Sequence, residues 1–375
     1  MADNKDKKVL NVPALRFPEF TGEWENCLIS DFGVVITGNT PSTKDVDNYK
    51  DGIKLWASPV DLGKTKWIYD THTKLSVIGF DKTRKLPEGA ILVTCIGSTI
   101  GKMGMATEEM STNQQINSII TNSCNDNDFV YYAIESNFPK YLASIAVQAV
   151  PIISKSSFEK LPNRRTALKE QIKIGKFLSL IDKRIATQNK IIEKLETLIK
   201  GIIETVISSQ KPTTLIKDCL ECNSSILQES QVAEYGTFPV YGATGITGYT
   251  EAPDVNGESI LLIKDGSGVG TVKYVTGEYS YIGTLNCLTA KDGYCLKYIY
   301  FALQRFSFEP YKTGMAIPHI YFRDYGRAKI FCPTIEKQSV IAQKLSSIED
   351  KVSVEKQILF YYQTQKSYLL SQMLI

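Results

Sequence analysis

The sequence predicts an α+β protein of two tandem globular domains, each followed by a long helix. The two helices are expected to pair as an antiparallel intramolecular coiled coil, so that the chain forms a pseudo-two-fold repeat. Three observations carry this expectation. Apolar residues recur at heptad spacing from about 167 to 209, they do so again from about 335 to the end, and the segments before the two helices share a β-rich, glycine-punctuated pattern.

In the first helix the a positions are Ile174, Ile181, Gln188, Leu195 and Ile202, and the d positions are Leu178, Ile185, Ile192, Ile199 and Val206. Nine of these ten are aliphatic and their neighbours are Lys, Glu, Asp and Arg, so one stripe needs an apolar partner. A single helix cannot bury it alone. The partner stripe is Ile341, Leu345, Ile348, Val352, Glu355, Leu359, Tyr362, Lys366, Leu369 and Met373, at a constant offset of 167 from Ile174 to Ile341 and from Val206 to Met373. The polar interruption recurs, Gln188 falling on Glu355. Such a residue either fixes register at a cost in stability or is a solvated mid-helix position, and both readings stand.

A chain of 375 residues with 43% hydrophobic and 22% charged residues is long enough for two or more cores and is ordinary for a globular protein. A net charge of +3 neither requires nor excludes nucleic acid. With no apolar N-terminal run and no apolar segment of membrane-spanning length, the expectation is a cytoplasmic protein with no membrane partner. The eight cysteines are scattered, and reduced thiols are the default. Cys219 and Cys222 form one C-x-x-C with no second pair, and His72 and His319 lie far apart in the chain, so no metal is assigned.

In chain order, the first domain is placed at 1–165, the central helix at 166–210, the second domain at 211–333 and the C-terminal helix at 334–375. An extended lead-in rich in proline and aromatic residues precedes strands at Lys54–Ser58 and Gly89–Ser98 and a helix from Asp128. Thr166 and Thr334 are the expected helix caps, and Pro212 ends the central helix. The second domain repeats the plan with fewer residues. Gly97-Ser98-Thr99-Ile100-Gly101 aligns with Gly266-Ser267-Gly268-Val269-Gly270 at an offset of 169, which also maps Asn117 to Asn286 and Tyr131 to Tyr300; the offset then becomes 167, from Pro151 to Pro318 and Gln171 to Gln338. A period this long marks a duplication. At ~1.5 Å per residue each helix spans roughly 60 Å, which suits a reader of something long.

Two glycine loops invite a nucleotide reading and fail it. Gly97 to Lys102 has one residue too few between its glycines for a phosphate loop, and Met103 stands where a magnesium-binding hydroxyl is needed. Gly266 to Gly270 is followed by a strand where a dinucleotide loop needs a helix start. Tight turns between strands explain both, and such turns could still approach a phosphate through backbone N–H groups. No G-x-S-x-G or H-E-x-x-H is present.

The chain resembles the specificity subunit of type I restriction-modification enzymes. The residues that carry the resemblance are Pro13-Ala14-Leu15-Arg16-Phe17-Pro18 with Trp24, Gly38-Asn39-Thr40-Pro41-Ser42 followed by Leu55-Trp56, Pro239-Val240-Tyr241-Gly242 with Gly245 and Gly248-Tyr249, and the Glu170-Gln171-x-x-Ile174 helix start. It covers essentially the whole chain. Two departures stand out: Thr166 where the second copy has Pro333, and Lys337 where the first copy has Glu170. The resemblance implies a non-catalytic subunit whose two target-recognition domains each read one half of a bipartite double-stranded DNA site. It implies helices that set the spacer and dock two modification subunits, which carry S-adenosylmethionine, and a restriction subunit that uses ATP and Mg. No cofactor is expected in this chain itself.

Base readout calls for Arg, Lys, Asn or Gln at base edges, with Lys, Ser, Thr and backbone N–H groups on phosphate. The candidates in the first domain are Thr40, Ser42, Lys44, Lys64, Lys66, Ser98, Lys102, Gln114 and Gln115; those in the second are Tyr241, Thr244, Lys264, Ser267, Lys273, Thr284 and His319. Each is also an ordinary loop residue. Trp56 and Trp67 stand near the first polar loops and could line the DNA face, although a buried structural role suits a tryptophan better. Lys155, Lys160, Arg164, Arg165, Lys169, Lys173 and Lys176 form a basic run with few acids near it in sequence, which suits either a track along DNA phosphates across the spacer, with Arg164 and Arg165 as the expected contacts, or a face that keeps a partner interface soluble. The competing readings are an interaction scaffold whose heads bind no DNA and a self-sufficient methyltransferase.

Overall fold

The computed structural model describes residues 11–144 and 151–375. They form two compact units, one comprising the described residues up to Asn189 together with Gln357–Ile375, the other Lys190–Lys356. Compactness therefore divides the chain differently from the linear scheme of domain, helix, domain, helix. Each long helix is shared, and each unit unites a head with half of one helix and half of the other.

The reason lies in what the helix ends bury. In the first unit Ile174, Leu178 and Ile181 from the central helix and Leu369, Met373 and Leu374 from the C-terminal helix join Trp24, Phe129 and Phe158 of the head in one apolar core. The start of one helix thus lies beside the end of the other, as antiparallel pairing requires. In the second unit Glu196 meets Lys356 at 2.7 Å in the same sense.

The central helix runs from Leu168 to Ile203 and passes into a π-helical turn at Glu204–Ser208; the C-terminal helix runs from Ile335 to Met373. The seam positions are buried or half-buried along both helices except Val206, which is 36% exposed, while Ile203 and Ile207 are buried. Ile203 and Ile207 correct the expected pair Ile202 and Val206. A 3.6-residue turn drifts against a seven-residue repeat, and the π turn adds to the drift.

Each head carries a sheet built to one plan, and the first head adds a three-stranded sheet of Thr73–Leu75, Lys54–Ala57 and Ser111–Thr112. In the first unit the strand order is Gly33–Thr37, Ile116–Thr121, Ile91–Thr94, Met103–Ala106, Trp67–Ile68; in the second it is Leu220–Ser224, Leu285–Ala290, Val255–Ile263, Val272–Tyr281, Phe238–Gly242, Gly245–Thr250. Register is duplicated as well: Ile91 faces Ile119 and Met105, and Ile260 faces Leu288 and Tyr274. Even side chains repeat. Thr37 donates to Asn117 Oδ1 at 2.6 Å, and Ser224 donates to Asn286 Oδ1 at 3.2 Å.

The two helix starts are fastened alike. Gln171 Nε2 donates to Thr166 O at 2.7 Å while its Oε1 accepts from the Asp126 N–H at 3.0 Å; Gln338 Nε2 donates to Pro333 O at 2.8 Å while its Oε1 accepts from the Cys295 N–H at 3.0 Å. Thr334 stands where a cap was expected, its carbonyl accepting from the Gln338 N–H. Thr166 does not: the first helical N–H bonds reach the Ala167 carbonyl, and the Thr166 hydroxyl donates to Glu170 instead. Glu170 is held there by a two-pronged pair with Arg16 of the lead-in, at 2.7 and 2.8 Å. Position 337 of the second copy is an exposed lysine, which cannot repeat the carboxylate pairing that Glu170 makes with Arg16.

Among the described residues no helix is long and apolar enough to cross a membrane, and no group of three or more His, Cys, Asp or Glu stands where it could hold a metal ion. The two thiols of the C-x-x-C face different neighbours, Cys219 towards Cys332 and Cys222 towards Tyr325.

Candidate nucleic-acid interface

The glycine loops are the same turn made twice. Gly97 and Gly101 have φ of 92° and 90°, and Gly266 and Gly270 have φ of 97° and 95°, a region that side chains with a Cβ avoid. The Gly97 N–H donates to Pro151 O at 3.1 Å and the Gly266 N–H to Pro318 O at 2.9 Å; the Gly101 N–H donates to Thr94 O and the Gly270 N–H to Ile263 O. Both loops spend these N–H groups inside the protein, so a phosphate has none of them to meet. Ser98 and Ser267 are left exposed near the tips.

Around the first loop the fold gathers several candidates that lie far apart in sequence. The Cys95 N–H donates to Gln115 O at 2.8 Å, which places Gln115 beside Gly97 and Ser98. Gln114 follows, joined to Thr40 by a hydroxyl-to-amide bond. Ser42 and Lys44 continue outward from Thr40 and are exposed, their loop held where Asn48 Nδ2 donates to Ser42 O at 2.9 Å. Trp56 is buried beneath this edge, with Nε1 donating to Asn39 O at 3.1 Å.

Lys64 and Lys102 form a second group. A Cβ built on Gly63 would lie 3.1 Å from the Lys102 side chain, and both lysines are exposed at the border of a cavity of ≈ 610 Å³. Lys66 corrects the expectation: it is 4% exposed, its Nζ lies 2.6 Å from Asp128 and 4.1 Å from the Tyr132 ring centroid. Burial, only partly offset by Asp128, lowers its pKa. Lys66 is a structural cation. The alternation of a strand hides every second residue, and Lys66 stands immediately before the strand Trp67–Ile68.

The inner wall of that cavity is ionic. Lys366 Nζ lies 2.9 Å from Asp182 and 3.0 Å from Glu135. Burial pulls the Lys366 pKa down, but the two carboxylates outweigh it and the net direction is up. Burial pushes Glu135 up despite Lys366, and Tyr132, which donates to Asp182, is also raised by burial. In the second unit a cavity of ≈ 570 Å³ occupies the equivalent place, with Gly270, Thr271 and Gln304 standing for Gly101, Lys102 and Glu135.

In the second unit Tyr241, Thr244 and Lys273 border a cavity of ≈ 130 Å³, with Lys273 Nζ 4.6 Å from the Tyr241 ring centroid. Lys264, Ser267, Thr284 and His319 gather at the glycine loop: the Lys264 N–H donates to Thr284 O at 3.0 Å and Asp265 bridges to His319. Thr284 departs from a free contact residue, since its Oγ1 is buried.

The basic run beside the central helix is not short of acids. Arg165 Nε lies 3.4 Å from Glu25 and Lys155 Nζ 3.6 Å from Glu159, and Lys173 pairs with Glu19. Strand pairing of Glu25–Leu28 with Pro162–Arg165 brings Glu25 opposite Arg165, which no window of neighbouring sequence reveals. Arg164 is half-buried in the same strand. Sequence reading also passed over Asn113, which is 7% exposed and orients Gln115. Its only signal was the unbroken amide run Asn113-Gln114-Gln115.

Comparison with known proteins is consistent along the chain. The family model described as type I restriction modification DNA specificity domain matches residues 21–197 and 215–360. The HindI type I restriction enzyme specificity subunit of Haemophilus influenzae is 32% identical over 187 residues, which are 48% of this chain and 40% of that protein. The MjaIX specificity subunit of Methanocaldococcus jannaschii is 29% identical over 182 residues, 46% of this chain and 42% of that one. The matches thus span less than half of these relatives. Among solved structures, the type I restriction-modification S subunit from M. genitalium aligns with a TM-score of 0.68 at 17% identity, covering 97% of this chain and 99% of that one. A chain from a structure on complex assembly and conformational transition of the type I R-M system aligns with a TM-score of 0.52 at 12% identity, covering 93% and 97%. These two show the fold.

Proposed function

The chain belongs to the type I restriction modification DNA specificity family, and from that membership we propose that it is the subunit that selects the DNA target. Each unit reads one half of a bipartite duplex site. The paired helices set the distance between the halves and dock two modification subunits, which bring S-adenosylmethionine and methylate adenine. A restriction subunit driven by ATP and Mg joins the same assembly. This chain binds and does not react.

The observation that carries the reading is the duplicated edge. The same glycine loop, in the same register, is presented twice with different side chains around it: Thr40, Gln114 and Gln115 in one unit, Lys264, Ser267 and His319 in the other. One scaffold carrying two polar surfaces suits two unlike half-sites. Phosphate contacts position a protein and base contacts specify, and both chemistries are available here.

The deciding experiment maps adenine methylation across the genome in cells expressing this chain with a cognate modification subunit, against cells with the modification subunit alone. A single split motif that appears only with the chain supports the reading and reports both half-sites and the spacer. A stable complex without any new motif favours a scaffold whose heads bind no DNA.

A further inference from the structure

Gln114 and Gln115 differ from the other polar groups on their edge because neighbours orient their amides and leave the donor ends open. Thr40 Oγ1 donates to Gln114 Oε1. Asn113 Nδ2 donates to Gln115 Oε1 at 3.1 Å, and Asn113 Oδ1 accepts the Gln115 backbone N–H at 3.0 Å. Each Oε1 keeps a second lone pair, and among the described residues neither Nε2 has a protein partner. An acceptor and a donor side by side on one planar amide match N6–H and N7 of adenine in the major groove. Fixing the amide before binding removes part of the ordering cost.

The second unit lacks this device at the same place. Gly283 and Thr284 stand 169 residues after Gln114 and Gln115. A Cβ on Gly283 would lie 3.1 Å from Ser225 O, and Thr284 Oγ1 is buried. The backbone is the same in both copies, as the matched bonds from Cys95 to Gln115 and from Lys264 to Thr284 show, so the difference is one of side-chain chemistry alone.

We propose that Gln114 and Gln115 read adenine in the half-site contacted by the first unit, and that the other half-site is read without an amide from this position. The inference rests on the specificity reading above and assigns base chemistry to one edge of one unit.

The test uses the full chain in complex with its modification subunits. The methylated motif is mapped for the wild type and for Gln114→Ala, Gln115→Ala and Gln115→Glu. Binding is then measured to duplexes carrying 7-deazaadenine, which lacks the N7 acceptor, at the relaxed position. The expected result is relaxation at an A·T pair in one half-site, with the other half-site and the spacer retained and base discrimination reduced roughly 5- to 150-fold. 7-Deazaadenine weakens binding of the wild type and leaves Gln115→Ala unaffected. Gln115→Glu keeps the shape of the native residue and replaces the N7 donor with a charged acceptor, so relaxation of the motif in a variant that still folds and assembles separates lost readout from lost folding. An unchanged motif in all variants, or relaxation at a G·C pair or in both halves, overturns the assignment and leaves the specificity reading standing. No split motif with the wild-type chain overturns both.

Discussion

Gln171 and Gln338 make the same pair of hydrogen bonds at the starts of the two long helices, each donating to the carbonyl five residues back and accepting the N–H of a residue at the entrance to a head helix. Each amide ties a long helix to its own head, so the orientation of head on helix is set by a bond that the duplication copied.

Gln171→Ala is expected to destabilise the first unit by about 2–4 kcal/mol. Gln171 is 1% exposed, and its loss leaves the Thr166 carbonyl and the Asp126 N–H without that partner. Urea unfolding followed by hydrogen exchange in the first unit measures it; a change below about 0.5 kcal/mol would show that water replaces the amide.

Glu135→Gln copies the second unit, which carries Gln304 at this position. The folded pKa of Glu135 lies above its ordinary value of 4.5 because burial outweighs Lys366. The native state then holds a proton that the unfolded state has released, so this group's contribution is complete below 4.5 and is lost as pH rises through the raised folded value. Stability against pH is therefore expected to fall less steeply for Glu135→Gln than for the wild type across that window. Parallel slopes in urea titrations at several pH values refute the prediction.

Lysines 64, 66 and 102 separate phosphate contacts from structure. Lys64→Ala and Lys102→Ala are each expected to lower the slope of log K against log salt by about 1 with little change in stability. Lys66→Ala leaves the slope unchanged and lowers the melting temperature, because the group is buried. Arg164→Ala with Arg165→Ala is expected to weaken DNA binding and flatten its salt dependence; an unchanged slope removes both from the interface.

Lengthening both helices by one heptad, after Gln188 and after Glu355, preserves the seam and adds about 10 Å to each. The methylated motif should gain about 3 base pairs of spacer with both half-sites intact. Altered half-site bases would mean that the helices do not act as a ruler.

The sequence by itself determined the duplication, the two helices and most of their seam, because periodicity and self-alignment are properties of a linear string. It also carried the family, through motifs such as Glu170-Gln171 whose partners it did not disclose. Tertiary structure decided the rest. Lys66 and Lys102 look alike in a polar turn, yet one lies against Asp128 and Tyr132 and the other faces out. Lys366 sits in an apolar register and bonds two carboxylates from elsewhere in the chain. Gln115 becomes a poised amide only through Asn113, and Arg165 meets Glu25 only through strand pairing. Burial and charge pairing depend on which distant segments the fold brings within a few ångströms, and no local pattern encodes that.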